Sequence, residues 1–311
     1  MPVLIHNCGM KRTVSLKAYA KVNLQLDVLG VRPDGYHELA GIMQSVSLHD
    51  EIIVSVLPAP ARSEPLVRVS FDAPVPFHNT VRRAAELYLG SEPCSVNIGV
   101  KKHIPSEAGL GGASADAAAA LRGLNALFAG TALERSFDEL LSLGLSVGAD
   151  VPFCLTGGCA TATGVGEKIT PLPFMPMTLV ILKGERGVAT PRLFKLFDEL
   201  ICDNSSRLPE DALPRAVEAI TAQNAPALGE LMKNALEPAA LTLAPEIADE
   251  LAVLRRFGAL GACMTGSGSA VVGLFRDEAA ARPLLSYIEG LRSERLFFAL
   301  CSSRDQGTDF I

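Results

Sequence analysis

The sequence predicts an α+β protein of two domains. Strand-type alternation dominates the first part of the chain, and a glycine loop there opens an alanine-rich helix. Beyond a proline cluster at 170–177 the rhythm changes to a hairpin flanked by helices and further strands, the order of a ferredoxin-like α/β sandwich. A chain of 311 residues with 49% hydrophobic and 20% charged residues is long enough to give each half its own core.

The elements follow in order. "KVNLQLDVLG" alternates without a slip, placing Val22, Leu24, Leu26 and Val28 on one strand face and Lys21, Asn23, Gln25 and Asp27 on the other. "RPDGYH" has tight-turn chemistry, and "MQSVSLHDEIIVSV" reads as further strand. "TVRRAAELYL" is helical in composition, and "SVNIGVKKHI" alternates again. Leu121, Leu124, Leu127 and Phe128 space a helix from the glycine loop to about Phe128. "FDELLSLGLSVGADVPFCLTGG" reads as helix, glycine break and a short extended piece. In the second half, "TLVILK" is a strand. "PRAVEAITAQ", "PALGELMKNAL" and "PEIADELAVLRRFG" are helical, "GACMTG" and "SAVVGLF" form two strands, and "DEAAARPLLSYIEGLR" and "LFFALCSS" add a helix and a strand.

Composition excludes several classes. A formal charge of −6, with no run of five Lys or Arg, lacks the footprint of a nucleic-acid binder. Seven scattered cysteines without a CxxC pair or ligand-spaced histidines indicate a reduced, cytoplasmic compartment and no metal site. The N-terminal apolar patch is too short for a signal peptide, and no segment reaches the roughly 18 apolar residues of a membrane span.

"IPSEAGLGGASADAAAAL" (104–121) asks for a ligand. A helix start carries free N–H groups and partial positive charge, and glycines let a phosphate approach them. By itself the loop reads equally as a tight strand-to-helix connection with Ser114 or Asp116 as ordinary caps. The P-loop is excluded because Gly-Lys never occurs, and a dinucleotide fingerprint read from Gly109 meets Ser114 at its last glycine position.

This stretch resembles the second motif of the GHMP kinases, named for galactokinase, homoserine kinase, mevalonate kinase and phosphomevalonate kinase. "AYAKVNLQLDVLGVRPDGYHEL" and "MTGSGSAVVGLF" resemble that family's other two motifs, in the right order. The resemblance implies a GHMP kinase fold, with an N-terminal ATP-binding domain like the second domain of ribosomal protein S5 (residues 1–165). The ferredoxin-like sandwich would then be residues 166–311, with the substrate in the cleft between the two. Within the family, "RPDGYHEL", "HNTVRRAAEL", "KKHIP", "GADVPF" and "ALEPAAL" are most similar to members whose small-molecule substrate is a cytidine diphosphate-linked methylerythritol, phosphorylated on its 2-hydroxyl. A monomer or weak homodimer is expected.

Site residues follow from the resemblance. Asp150 would take the proton of the alcohol, with Lys21 beside it to orient it and offset charge at the substrate oxygen. Pro105, Ala108, Gly109, Leu110, Gly111, Gly112, Ala113 and Ser114 would cradle the phosphates of ATP, with Asn79 and Lys102 on the adenosine side and Mg²⁺ arriving with ATP. Tyr36 and Phe194 would sandwich the pyrimidine, and His37 would read its edge. Asn23 and Thr190 would contact the diphosphate or methylerythritol end, and Gly266 and Ser267 would line the junction of both substrates. Without the family pattern each has an ordinary reading: Asp150 as a turn residue, Lys21 and Lys102 as solvated strand lysines, Asn79 as a helix cap, Phe194 as helix core, Tyr36 and His37 as turn and structural residues, and 265–269 as a bare hairpin turn. Glu107 departs from the family loop, which has glycine there; its side chain is expected to face solvent.

Overall fold

The structure is a computed structural model that describes residues 11–57, 65–73, 79–200, 207–291 and 296–311; the N-terminal apolar patch with Cys8, and Cys202, lie outside the described residues. Two long strands, β1 (Arg12–Val31) and β2 (His37–Leu57), form an antiparallel hairpin across the tight turn at 32–36. The strands β3 (Leu66–Phe71) and β4 (Ser95–Lys101) pair in parallel, as the intervening helix α1 (Thr80–Leu89) requires. Helices α2 (Gly112–Leu127), α3 (Phe137–Val147) and α4 (Val151–Thr156) follow, then the hairpin β5 (Cys159–Gly164) and β6 (Lys168–Leu172), which pairs with the outer part of β2.

The second half contains β7 (Thr178–Lys183), α5 (Thr190–Leu200), α6 (Ala212–Thr221), α7 (Ala225–Leu231), β8 (Lys233–Asn234), α8 (Glu237–Leu243) and α9 (Glu246–Arg256). It ends with β9 (Gly261–Met264), β10 (Val271–Phe275), α10 (Glu278–Leu291), β11 (Phe297–Ser302) and β12 (Thr308–Phe310). Its sheet has the order β11-β7-β10-β9 with every pairing antiparallel. Numbered within that sheet the order is 4-1-3-2, the ferredoxin-like arrangement predicted from sequence. The first sheet runs β12-β1-β2-β4-β3, so the chain returns at β12, and again at β8, to the edge of β1.

The alanine run of α2 is explained by packing. Ala115 and Ala117 through Ala120 are all fully buried, and a Cβ at Gly123 would come within 2.7 Å of Val54 Cγ2. Small side chains let the helix lie against the first sheet while α1, α3 and α4 close over it.

Two expectations change. The stretch after the glycine break is not extended: Val151–Thr156 is helical, with Pro152 in its first turn, where a proline ring suits the required φ and its missing N–H costs nothing. The helix expected through "PALGELMKNAL" stops at Leu231, and Lys233 and Asn234 pair in parallel with Gln25 and Leu26. Pairing with β1 overrides the helical propensity of this segment.

Candidate active site

A cavity of about 860 Å³ opens between the two sheets. Its floor is β1. Lys21, Asn23 and Gln25, expected on the polar face of the strand, are each at most 5% exposed. That face is covered at Lys21 and Asn23 by the glycine loop and the turn between β9 and β10, and at Gln25 by α6 and α7, where Gln25 Nε2 donates to Ala212 O and Leu231 O. Lys21 N donates to Leu110 O at 3.0 Å, and Asn23 N donates to Thr265 Oγ1 at 2.8 Å.

The loop and the turn interlock by backbone. Gly109 (φ +71°) sits so close to the turn that a Cβ there would lie 2.1 Å from Thr265 O, and one at Gly266 (φ +56°) would lie 2.8 Å from Gly109 O. Positive φ and absent side chains are both required at this crossing. Ser269 N and Ala270 N donate to Glu107 O and Ala108 O, and Asn234 Nδ2 donates to Met264 O and Gly266 O. Asn234 is a buried organising residue that the sequence analysis did not single out; its neighbourhood to "ALEPAAL" was the available signal.

Helix α2 starts at Gly112 with Gly111 (φ +68°) as N-cap and no side-chain cap. Neither Ser114 nor Asp116 fills the cap position, so the first-turn amides of Gly112 and Ala113 face the cavity region without an intrahelical acceptor. A Cβ at Gly111 would lie 2.8 Å from Lys21 Cγ. The loop therefore rests on the lysine stem.

Lys21 Nζ donates to Asn23 Oδ1 at 2.8 Å and stands 3.4 Å from Asp150 Oδ2. Asp150, partly exposed and at the N-cap of α4, makes no side-chain cap bond, which leaves its carboxylate directed to the cavity and to Lys21. Val165 and Gly166, at the tip of the β5–β6 hairpin, line the same corner, and a Cβ at Gly166 would lie 3.7 Å from Asp150 Oδ1. Pairing of β5 with β2 brings them there, information that no local pattern contains.

Lys102 is not a solvated lysine. Its Nζ donates to Asp50 Oδ2 and, at 2.7 Å, to Asp116 Oδ2, and both carboxylates are buried. Asp50 Oδ1 also accepts from Ile104 N at 2.8 Å, so one carboxylate ties the lysine to the entrance of the glycine loop. Burial pushes the Asp116 carboxyl well above the ordinary carboxylate range, against the opposing pull of Lys102. The two carboxylates raise Lys102 further, outweighing its own desolvation.

The remaining expected residues divide. Pro105, Ala108 through Ser114, Thr190, Phe194, Gly266 and Ser267 line the cavity, with Thr190 Oγ1 and Ser267 Oγ 2.7 Å apart. Asn79 does not: it is the N-cap of α1, accepting from Arg82 N at 2.9 Å, while the adjacent Thr80 lines the cavity and donates to Ala113 O. Tyr36, 65% exposed, stands beyond the cavity lining, as does His37. The ring of His37 packs on Phe194, with centroids 4.5 Å apart and planes tilted by 31°; His37 Nε2 lies 2.8 Å from Asp198 Oδ1. Phe194 and Asp198 are one helical turn apart on α5, which places ring and carboxylate on one face.

Glu107 is exposed, yet it also lines the cavity, and its carboxylate lies against Gly187, where a Cβ would come within 2.3 Å of Oε2. The Glu107 φ of +50° lies in the left-handed region, which accounts for a glycine being favoured at that point of the loop.

Comparison with known proteins agrees with this geometry. The model of the GHMP kinases N terminal domain matches residues 79–158, and that of the GHMP kinases C terminal matches 216–290. A 4-diphosphocytidyl-2-C-methyl-D-erythritol kinase of Desulfitobacterium hafniense is 41% identical over 281 residues, covering 88% of this chain and 91% of that protein. The kinase of the same name from Gloeobacter violaceus is 37% identical and covers 95% and 96%. A crystal structure of 4-(cytidine 5'-diphospho)-2C-methyl-D-erythritol kinase superposes with TM-score 0.75 at 33% identity, over 95% of this chain and 100% of that one. The homoserine kinase of Cytophaga hutchinsonii shares the fold, with TM-score 0.77 at 20% identity over 97% and 98% of the two chains. With two-domain architecture, interlocked motifs and relatives all in accord, the chain belongs to the GHMP kinase family, among its 4-diphosphocytidyl-2-C-methyl-D-erythritol kinases.

Proposed function

We propose that the protein transfers the γ-phosphoryl group of ATP to the 2-hydroxyl of 4-diphosphocytidyl-2-C-methyl-D-erythritol, releasing ADP in the methylerythritol phosphate route to isoprenoid precursors. The observation that carries the proposal is the Lys21–Asp150 pair, held at 3.4 Å in the same cavity as an uncapped, glycine-led helix start.

The donor set fits a polyphosphate. The amides of Gly112 and Ala113, together with the Ser114 hydroxyl, offer hydrogen bonds at the positive end of α2, and the glycines leave room for close approach. Lys102, fixed by Asp50 and Asp116, has one further proton to give on the nucleotide side. Mg²⁺ arrives on the phosphates of ATP and supplies charge neutralisation there.

Transfer then needs an aligned alcohol. Asp150 accepts the hydroxyl proton as the alcohol oxygen bonds to the γ-phosphorus and the electrons of the breaking bond leave with ADP. Lys21, buried and steadied by Asn23, holds the carboxylate in place and faces charge developing on that oxygen. Thr190, Ser267 and Asn23 line the acceptor side, with the nucleoside end toward Phe194 and His37. The same reading takes 1–165 and 166–311 as the two working domains, with β6, β8 and β12 reaching back onto the first sheet. It places the enzyme in the cytoplasm; among the described residues no helix is long and apolar enough to cross a membrane.

The test is a coupled assay of ADP release with this alcohol, mevalonate and homoserine as alternative acceptors. Turnover is expected only with the cytidine-linked alcohol, and Asp150→Asn should lower kcat by about 10²- to 10⁴-fold with little change in the KM for ATP. Preference for either other alcohol, or near-normal turnover by Asp150→Asn, contradicts the assignment.

A further inference from the structure

The aromatic end of the site contains a histidine–carboxylate contact that no catalytic step uses. His37 opens β2, and its ring is packed between Phe194, at a centroid distance of 4.5 Å, and the edge of Phe197, at 6.3 Å. The side chain is only 11% exposed, so the ring plane is set by packing. Asp198, on the same face of α5 as Phe194, meets Nε2 at 2.8 Å. An ionised carboxylate only accepts hydrogen bonds, so this contact places the proton of a neutral imidazole on Nε2 and leaves Nδ1 as an acceptor. Among the described residues no hydrogen bond to the Nδ1 of His37 is present.

We propose that Asp198 is a specificity-determining positioning residue: by holding His37 in the Nε2–H form it presents Nδ1 to the amino edge of a cytosine and against the carbonyl edge of a uracil. The inference rests on the nucleobase lying beside His37 and Phe194, as in the reading above. Cytosine carries a donor, its exocyclic amino group, where uracil carries an acceptor oxygen. An imidazole nitrogen with a lone pair bonds the first and repels the second. Rejection of a partner that leaves a buried polar atom unpaired is stronger than rejection by shape, which is the same for both bases. Phe194 contributes stacking to either pyrimidine equally, so it contributes affinity without choice.

The arrangement is economical in sequence. Phe194 and Asp198, four residues apart on α5, act on a histidine more than 150 positions earlier, and the carboxylate touches the imidazole rather than substrate. Loss of Asp198 frees His37 to place its proton on either nitrogen. In the tautomer with Nδ1–H the ring donates to the uracil oxygen, and the preference relaxes.

The test compares kcat/KM for 4-diphosphocytidyl-2-C-methyl-D-erythritol and its uridine counterpart in the wild type, Asp198→Ala and Asp198→Glu. The wild type is expected to favour the cytidine substrate strongly. Asp198→Ala should lower the ratio at least tenfold, chiefly through a higher KM for the cytidine substrate and a lower KM for the uridine one, with kcat at saturation little changed. Asp198→Glu, which restores a carboxylate, should recover part of the ratio. A purely structural role would weaken both substrates together and leave the ratio fixed, and that result overturns the proposal. If the wild type turns over neither substrate, the underlying reading fails; if it turns over both equally, or distinguishes them and Asp198→Ala does so equally well, only this inference fails. Matched near-ultraviolet circular dichroism and Tm would show that Asp198→Ala is folded; should it not be, Asp198→Asn gives the same comparison.

Discussion

Lys21 and Asp150 show how little of a side chain's role resides in its own neighbourhood. Each is an ordinary residue of its local sequence, yet folding sets them 3.4 Å apart, with Asn23 holding the ammonium from the other side. Glu250 makes the same point without catalysis. It is buried on α9, where one carboxylate oxygen accepts from Gly184 N and the other has no partner among the described residues. Burial pushes its carboxyl up from 4.5 to about 7, with Glu246 and Asp249 adding to the rise and Lys183 opposing it. The native state therefore holds a proton that the unfolded chain releases, so this group costs nothing below pH 4.5, removes stability as pH rises from about 4.5 to 7, and removes a constant amount above that. Glu250→Gln should match the wild type in denaturant midpoint at pH 4.5 and exceed it at pH 8, by on the order of 1–2 kcal/mol. Equal stability of the two at pH 8 would show that the burial penalty is relieved in solution.

At the scale of elements, the start of α2 and the start of α1 are instructive because both open a helix and they differ in purpose. Helix α1 is capped by Asn79 in the ordinary way, whereas α2 has no side-chain cap and leaves its first-turn amides to the cavity. Asn79→Ala should lower stability by about 1 kcal/mol while leaving the KM for ATP within a factor of about two. A rise of tenfold or more in that KM, with stability unchanged, would instead place Asn79 in the nucleotide site. Gly109→Ala is expected to behave in the opposite way. Its Cβ would collide with the carbonyl of Thr265 at 2.1 Å, so the loop and the β9–β10 turn must separate, and turnover and ATP affinity should both fall by tenfold or more. Wild-type kinetics in Gly109→Ala would mean that the two loops need not interlock.

Across the whole molecule, the return of the chain to the first sheet ties the cavity walls together. After β11 the backbone bonds Arg304 N to Ser45 O and Gly307 O to Tyr19 N, and β12 then adds to the edge of β1. Gly307 passes so close to α4 that a Cβ there would lie 1.8 Å from Cys154 O, which braces the helix that begins at Asp150. Tyr19 secures the same segment, donating from its hydroxyl to Asp309 at 2.8 Å, with the Arg304 guanidinium 5.3 Å over its ring. Truncation after Arg304 exposes the β1 edge and unsupports α4. It should lower Tm by roughly 5–10 °C and reduce kcat more than it weakens ATP binding. Unchanged kcat in a truncated, folded protein would separate this strap from the catalytic corner.

Much of this protein was legible in order along the chain. Alternation on β1, the glycine-to-alanine switch at 109–120, and the strand and helix order of the second half follow from local periodicity and backbone sterics, so they could be read as the elements they form. The resemblance of three motifs then pointed to Lys21, Asp150 and the phosphate loop, and all of these line one cavity. Other features depended on partners distant in sequence. The short β8, the helical turn after Asp150, the partnership of Lys102 with Asp50 and Asp116, the hairpin tip at Val165 and Gly166, and the packing of His37 on Phe194 each arise from contacts between elements. Periodicity reports which face of an element is apolar; only the packing of that face against another decides which polar atoms are left paired, buried or open to a ligand.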